Sequence, residues 1–500
     1  MIRHRPVKPF GSCCLALLGI VVIEQSLCQS LSADSAEDWG RMREIVPKGY
    51  VCSFAEEAPR IDGKLDDAAW RVAPWTEDFV DIEGDRQARP RFRTRAKMTW
   101  DADFFYVAAE MEEPHVWGTL TKHDAVIFHD NDFELFIDPD GDNHEYYEFE
   151  INALNTGWDL FLPRPYKDGG RAENRWEIPG LKTAIGVAGT LNDPSDTDTG
   201  WCVEIAIPWD VLREYAHRPS PPREGDQWRV NFSRVEWQHQ IEEGEYRKTP
   251  QTREDNWVWS PQGIIDMHRP ERWGVVQFTK TAPGATRFQP DPALRGREAL
   301  LEVYHLQKAF HQKQGRWAHN LEELAPDRAG PRDRTLLPRL TTDGDTFRAV
   351  VEVPLGDQTN QAWSIRHDSR LRRVTPDDAL CDTLEGILSL QAAAWNRGDL
   401  AGFMEHYWKS DELTFSSGGH STRGWKPTKA NYLRRYPTRA QMGQLSFGAL
   451  EVTSLGESAA MVLGRWNLER DAAPIGGNFS LVFRRLEGNW VIVHDHTSQD

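Results

Sequence analysis

Residues 91–111 carry the pattern that most limits what this chain can fold into. Phe92, Thr94, Ala96, Met98 and Trp100 alternate with Arg91, Arg93, Arg95, Lys97 and Thr99. A period of two makes a strand with one buried face. Asp101-Ala102-Asp103 supplies a turn, and Phe104 to Met111 returns as an apolar strand, so the pair predicts a hairpin. The alternation recurs at Phe133, Leu135 and Ile137, and at Tyr147, Phe149 and Ile151 with Glu148, Glu150 and Asn152 opposite. It returns at Trp201, Val203, Ile205 and Ile207, where Pro208-Trp209-Asp210 predicts a short helix, and again from Trp228 to Trp237. Short strands divided by Gly, Asp, Asn and Pro turns predict an all-β two-sheet sandwich over residues 48–280.

With 500 residues the chain exceeds one core and is expected to be multidomain. Residues 281–293, with Pro283, Gly284, Pro290 and Pro292, read as a linker. Residues 294–375 read as a small α+β segment. It has a helix from Leu294 to Gln314, a helical turn at Asn320–Leu324, and strands at Thr346–Val353 and Ala362–His367. From residue 377 to 500, Leu380, Leu384, Ile387, Leu388, Gln391 and Trp395 mark a helix that Gly398 stops. A second helix is expected over Leu400–Trp408. Strand-like runs follow at Leu413–Ser416, Leu445–Ser454, Ala459–Glu469, Asn478–Arg485 and Trp490–His496, so this part reads as an α+β cone with a curved antiparallel sheet.

A formal charge of −18 and the lack of a basic stripe exclude nucleic acid as the expected partner. Arg3, Arg5 and Lys8 precede the short apolar run Cys13–Ile23, so residues 1–30 read as a signal peptide. A secreted or periplasmic product without a membrane span is expected. Beyond that signal only Cys52, Cys202 and Cys381 remain. They lack metal-ligand spacing, and Cys52 and Cys202 either pair or stay as buried thiols.

Three motifs carry a resemblance: Ile61-Asp62-Gly63-Lys64-Leu65-Asp66-Asp67-Ala68-Ala69-Trp70, the strand Asn131–Asp138, and Pro270-Glu271-Arg272-Trp273-Gly274 to Phe278. Together they resemble carbohydrate-binding module family 9. The resemblance implies a sandwich that binds polysaccharide or oligosaccharide as an accessory to glycoside hydrolases. Gly63 is read as a turn capped by Asp62 and Asp66, and Trp70, Trp75, Trp100 and Trp201 as core. The family clamps a sugar between two Trp side chains while polar groups bond its hydroxyls, which joins apolar stacking to directional recognition. The matching clamp positions here carry Phe128 and Met267, the latter beside His268, and Glu150 stands where the family has a basic residue. Trp158 and Trp257 are the replacement platforms, and Asn152, Asn231 and Arg234 the further polar contacts. The alternatives are that both Trp fill loops, or that the domain keeps its fold without a sugar. Calcium occurs in the family, and Asp138-Pro139-Asp140-Gly141-Asp142-Asn143 alternates oxygen donors as a calcium loop does. It also reads as an ordinary acidic turn, and no cofactor is otherwise expected.

Trp395-Asn396-Arg397-Gly398-Asp399, the Tyr407 segment and Gly488-Asn489-Trp490 to Ser498 resemble the SnoaL-like branch of the nuclear transport factor 2-like superfamily. That resemblance implies a cone enclosing a pocket, or a module that forms a homodimer. The expected pocket residues are Tyr407, His420, Arg465, Trp466, His494 and His496. His494 and His496 share one strand face, with Asp495 on the other. The favoured reading is an exported carbohydrate-binding protein. The rival is a small-molecule enzyme working by proton transfer in the cone, with the sandwich as a targeting module.

Overall fold

The computed structural model describes residues 36–324, 336–342, 345–356, 360–374, 376–470 and 474–499. The expected signal peptide lies outside the described residues. The chain is multidomain: a β-sandwich, a small α+β segment and an α+β cone.

The larger sheet of the sandwich runs in the order Gly49–Ser53, Gly274–Thr279, Gln227–Glu236, Asp132–Asp138, Tyr146–Asn152, Gly157–Leu162. Asp255–Val258 pairs with Gln227–Glu236 and with the short strand Val80–Asp81. The smaller sheet is Thr94–Trp100, Phe104–Glu112, Gly200–Pro208, Lys182–Ala188. The alternation read from the sequence fills the space between them. Met98 and Trp100 from one sheet meet Phe133, Leu135, Ile137 and Phe149 from the other in a single core. Trp100, Trp209, Trp228 and Phe278 pack edge to face at 5.4–6.2 Å, the arrangement favoured by aromatic quadrupoles. Trp70, Trp100 and Trp201 are buried as expected. Trp75 is not core: it is half-buried, and Arg95 and Lys97 lie over its ring at 4.1 and 4.3 Å.

The Asp62-Gly63 turn closes around a carboxylate from another strand. Glu204 accepts the backbone N–H groups of Asp62, Gly63 and Lys64 at 3.0, 2.6 and 3.1 Å through one oxygen. Its other oxygen accepts the Trp70 indole N–H at 2.7 Å. Gly63 has φ +82°, and a Cβ there would meet the Ile185 carbonyl oxygen at 2.6 Å, so only glycine fits. The expected caps, Asp62 and Asp66, give way to Glu204. Cys52 and Cys202 are both free thiols.

In the middle segment, helix Leu294–Gln314 packs Leu300, Leu301 and Tyr304 against a four-stranded sheet. Its order is Arg339–Thr342, Phe347–Pro354, Asn360–Arg366, Leu371–Val374, with the outer two beyond the expected pair. Trp39 from helix Ala36–Met42 joins this core. The segment docks on the sandwich through buried ion pairs, Arg370 with Asp142 and Glu145 at 2.7 Å each and Arg272 with Glu298 at 2.7 Å. Arg366 and Arg372 reach Glu385 of helix Pro376–Asn396 at 2.6 and 3.0 Å, tying it to the cone.

The cone sheet runs His420–Arg423, Thr414–Ser417, Asn489–Thr497, Ile475–Leu486, Ala459–Glu469, Gln444–Ser454. The expected helix Leu400–Trp408 is shorter: Leu400–Phe403, then a 3-10 turn over Met404–His406. Helix Trp425–Arg435, absent from the sequence reading, closes one side.

Candidate functional site

The outer face of the larger sheet carries an unusual polar row. Period two sends Phe133, Leu135, Phe149 and Ile151 into the core, so their neighbours face outward. Pairing register then aligns Ser233, Glu134, Glu150 and Trp158 across four consecutive strands. Asp132 and Glu148 lie two residues away on the same face. All four acids are buried, between 0 and 5 % exposed. Burial, reinforced by Glu134, pushes Asp132, Glu148 and Glu150 well above the usual carboxylate range. Burial lifts Glu134 to about 7.

Phe128 and Trp158 border Glu150. The Phe128 backbone N–H donates to the Glu150 carboxylate at 2.9 Å. The Trp158 ring is half-buried, and its indole N–H has no hydrogen-bond partner. Trp237, which the sequence reading passed over, donates its indole N–H to the Phe128 carbonyl at 2.9 Å. Lys248 stacks on the Trp237 ring at 3.5 Å. Met267 covers the other half of the face in a cluster with Phe136, Tyr146, Leu160 and Trp273. His268 shares a hydrogen bond with the Tyr146 hydroxyl at 3.0 Å, and burial lowers its pKa to about 4, so it is neutral.

Four expected contact residues are otherwise engaged. Asn152 donates to the Leu120 carbonyl and to Asp130 and accepts from the Leu154 and Thr156 N–H groups, so its amide braces a loop. Asn231 exchanges two 2.9 Å bonds with the Ser260 backbone. Arg234 and Trp257 point to the inner face instead. Arg234 is one residue from Ser233, and the two-residue period turns it inward. There it bonds Thr94, the Glu112 carbonyl, Glu113 and Glu236 at 2.9–3.0 Å. Trp257 pairs with Arg234 in register, and the guanidinium lies 5.2 Å from its ring. Neither reaches the outer face.

The acidic turn is closed by the protein's own groups. Asp138 accepts from the Gly141 and Asn143 N–H groups at 2.9 and 3.0 Å, and Asp142 is paired with Arg370.

The cone encloses a cavity of about 710 Å³. Tyr407, His420, Trp466 and His496 line it, but Arg465 and His494 do not. Arg465 is exposed, one residue from Trp466 on the opposite strand face, and His494 bonds Thr414 at 2.6 Å. Asp495, on the strand face not expected to point inward, lines the cavity and is buried. Val482 pairs with His494 and Phe483 with Ile492, so Val493 is an extra residue in a bulge. Ile492 and Asp495 therefore both face the interior. Burial raises Asp495 to about 6, while bonds from Tyr407 at 2.6 Å and Thr497 at 2.9 Å favour its charged form. Tyr432 also lines this end.

Residues 61–280 match the model of the carbohydrate family 9 binding domain-like family, and residues 385–499 that of the SnoaL-like domain. The chain joins a family 9-like domain to a SnoaL-like domain. Over 154 residues the chain is 27% identical to the exoglucanase XynX of Acetivibrio thermocellus, covering 31% of this chain and 12% of that protein. Over 158 residues it is 32% identical to endo-1,4-beta-xylanase C of Paenibacillus barcinonensis, again 31% and 12%. The chain thus spans about an eighth of the length of these curated relatives. Among solved structures, a family 9 module from Caldicellulosiruptor kristjanssonii in complex with cellotriose is 15% identical. It covers 49% of this chain and 100% of the module, with a TM-score of 0.32. An NTF-2 like protein of unknown function from Shewanella oneidensis MR-1 is 39% identical over 24% of this chain and 98% of its own, with a TM-score of 0.23.

Proposed function

We propose that the family 9-like domain binds a glycan on the outer face of its larger sheet. Phe128 and Trp158 are its apolar edges, and Glu134 and Glu150 the groups that meet sugar hydroxyls. The observation that supports this most is the aligned row Ser233–Glu134–Glu150–Trp158, which sets polar acceptors beside a half-buried aromatic ring. The relatives are named as an exoglucanase and a xylanase, which favours a β-linked glucan or xylan main chain. The basic n-region at Arg3, Arg5 and Lys8 supports an exported accessory in polysaccharide use. Affinity electrophoresis of the full chain in gels containing xylan, cellulose derivatives or mixed-linkage glucan tests the reading. Retardation by at least one glycan is expected, and uniform mobility in all of them would overturn it.

A second reading concerns the SnoaL-like cavity, where a buried Asp495 near pKa 6 beside Tyr407 suits proton transfer on a small carbonyl compound. Native mass spectrometry of the purified chain checks it: a bound small molecule lost in Asp495→Asn supports it, and an empty cavity in both opposes it. Homodimerisation belongs to the same domain, supported by the exposed Leu455 and Leu463 on or beside its sheet. Sedimentation at micromolar concentration is expected to give twice the monomer mass, and monomers alone would remove that part.

A further inference from the structure

A second cavity, of about 860 Å³, lies where the sandwich, the linker, the middle segment and the cone meet. Pockets that take small molecules span roughly 300–1,000 Å³. Three arginines from different elements line this one: Arg229 from strand Gln227–Glu236, Arg218 from the loop before it, and Arg297 from helix Leu294–Gln314. Arg229 stands opposite Asp138 in register, and the Asn231–Phe136 pair separates it from the Ser233–Glu134 pair.

These guanidiniums are short of acceptors. Arg229 is 6 % exposed, and its one hydrogen bond runs from Nη1 to the Pro270 carbonyl at 2.5 Å. Among the described residues no carboxylate forms an ion pair with it. Asp138 opposite accepts the Gly141 and Asn143 N–H groups with its two oxygens. Arg218 donates only to backbone carbonyls, those of Pro139 at 2.9 Å and of Gln227. Arg218 and Arg297 each bury an Nε that has no hydrogen-bond partner. Burial and the Arg297 guanidinium lower Arg229 to about 10.

Acids line the cavity too, but other bases hold most of them. Asp142 pairs with Arg370, Glu385 with Arg366 and Arg372, and Asp291 with Arg297. Burial and the neighbouring Asp142 carboxylate push Asp140 well up, towards its neutral form, and Glu451 is exposed. Buried polar groups are nearly always satisfied, and a buried charge is costly unless paired. Unfilled guanidinium donors around one cavity therefore indicate an absent acceptor that carries negative charge.

We propose that this cavity binds a small molecule through an oxyanion group, carboxylate or phosphate, held by Arg229 and Arg218 with Arg297 beside them. The planar guanidinium presents paired N–H donors that match both groups. Trp363, half-buried with Arg297 over its ring at 5.0 Å, supplies an aromatic wall for the rest of the ligand. The proposal does not rest on the glycan reading, which uses other residues.

The test titrates the full chain by calorimetry with sodium glucuronate and, separately, with inorganic phosphate, at constant ionic strength against sodium chloride. At least one is expected to bind saturably with one equivalent and to raise the melting temperature by several degrees. Tighter binding of glucuronate assigns a carboxylate, and tighter binding of phosphate a phosphate. Arg229→Gln, which keeps a donor for the Pro270 carbonyl, and Arg218→Gln are each expected to weaken that binding at least tenfold. Without anion, Arg229→Gln is relieved of an unpaired buried charge and is expected to melt at or above wild type, which separates lost binding from lost folding. If Arg229→Gln folds poorly, Arg218→Gln decides. Arg465→Gln, on the exposed face of the cone, is expected to keep the full response. No saturable binding of either anion by wild type, wild-type affinity in folded Arg229→Gln or in Arg218→Gln, or an equal loss in Arg465→Gln would each overturn the proposal.

Discussion

Glu134 and Glu150 face each other across adjacent antiparallel strands, both nearly fully buried and neither paired with a base. Arg234 is matched by Glu113 and Glu236, whereas this pair, with Asp132 and Glu148 beside it, has no base opposite. Its position beside Phe128 and Trp158 makes it the centre of the proposed binding face.

The pair predicts a specific pH response. Burial raises the folded pKa of Glu134 to about 7 from an ordinary value near 4.5. The folded state therefore holds more protons than the unfolded state in that window, and stability falls as pH rises from about 4.5 to 7. Asp132, Glu148 and Glu150 shift in the same direction. Melting curves should show wild type losing ground to Glu134→Gln across this window; parallel curves would contradict the assignment.

Arg234 is a structural residue, joining the two sheets through Thr94 and the Glu112 carbonyl. Arg234→Ala leaves Glu113 buried without a counter-charge and Glu236 with only Arg91 at 3.5 Å, a loss of about 3–5 kcal/mol. Denaturant unfolding should report that cost; a loss under about 1 kcal/mol would show that the network is not what holds the sheets together.

Glu204→Gln tests the turn at Gly63. The neutral amide keeps an oxygen for one set of donors but places an NH₂ against the other. A loss of about 1–3 kcal/mol is expected, measured by denaturant unfolding, without change in glycan retardation.

Much of the sandwich was legible because its strands alternate strictly, so parity alone separates Phe133 and Phe149 from Glu134 and Glu150. The same parity rule, applied to Arg234, would have put it on the inner face beside Trp257; grouping residues by proximity in sequence concealed that. Trp237 was not legible, since its link to Phe128 is a backbone contact between segments 109 residues apart. In the cone the rule misled. The extra residue at Val493 inverts the faces of the last strand, and a bulge leaves no mark on the pattern of His494-Asp495-His496. Asn152 and Asn231 were chosen as sugar donors by residue type, but their amides are consumed by local backbone, which composition does not show.

Asp495 offers a check on the cone. Its carboxylate titrates near 6 with Tyr407 as a donor at 2.6 Å. Tyr407→Phe removes a bond that favours the charged form, so the Asp495 pKa should rise, read by carbon-13 NMR of the labelled carboxyl. An unchanged value would remove Tyr407 from its control.

The central claim is that the outer face of the larger sheet, and not the inner one, meets the glycan. Affinity electrophoresis against a glycan that retards wild type, run with Trp158→Ala and Trp257→Phe side by side, tests it most directly. Trp158→Ala is expected to run unretarded while Trp257→Phe keeps the wild-type retardation. Retardation retained in Trp158→Ala and lost in a folded Trp257→Phe would contradict the account.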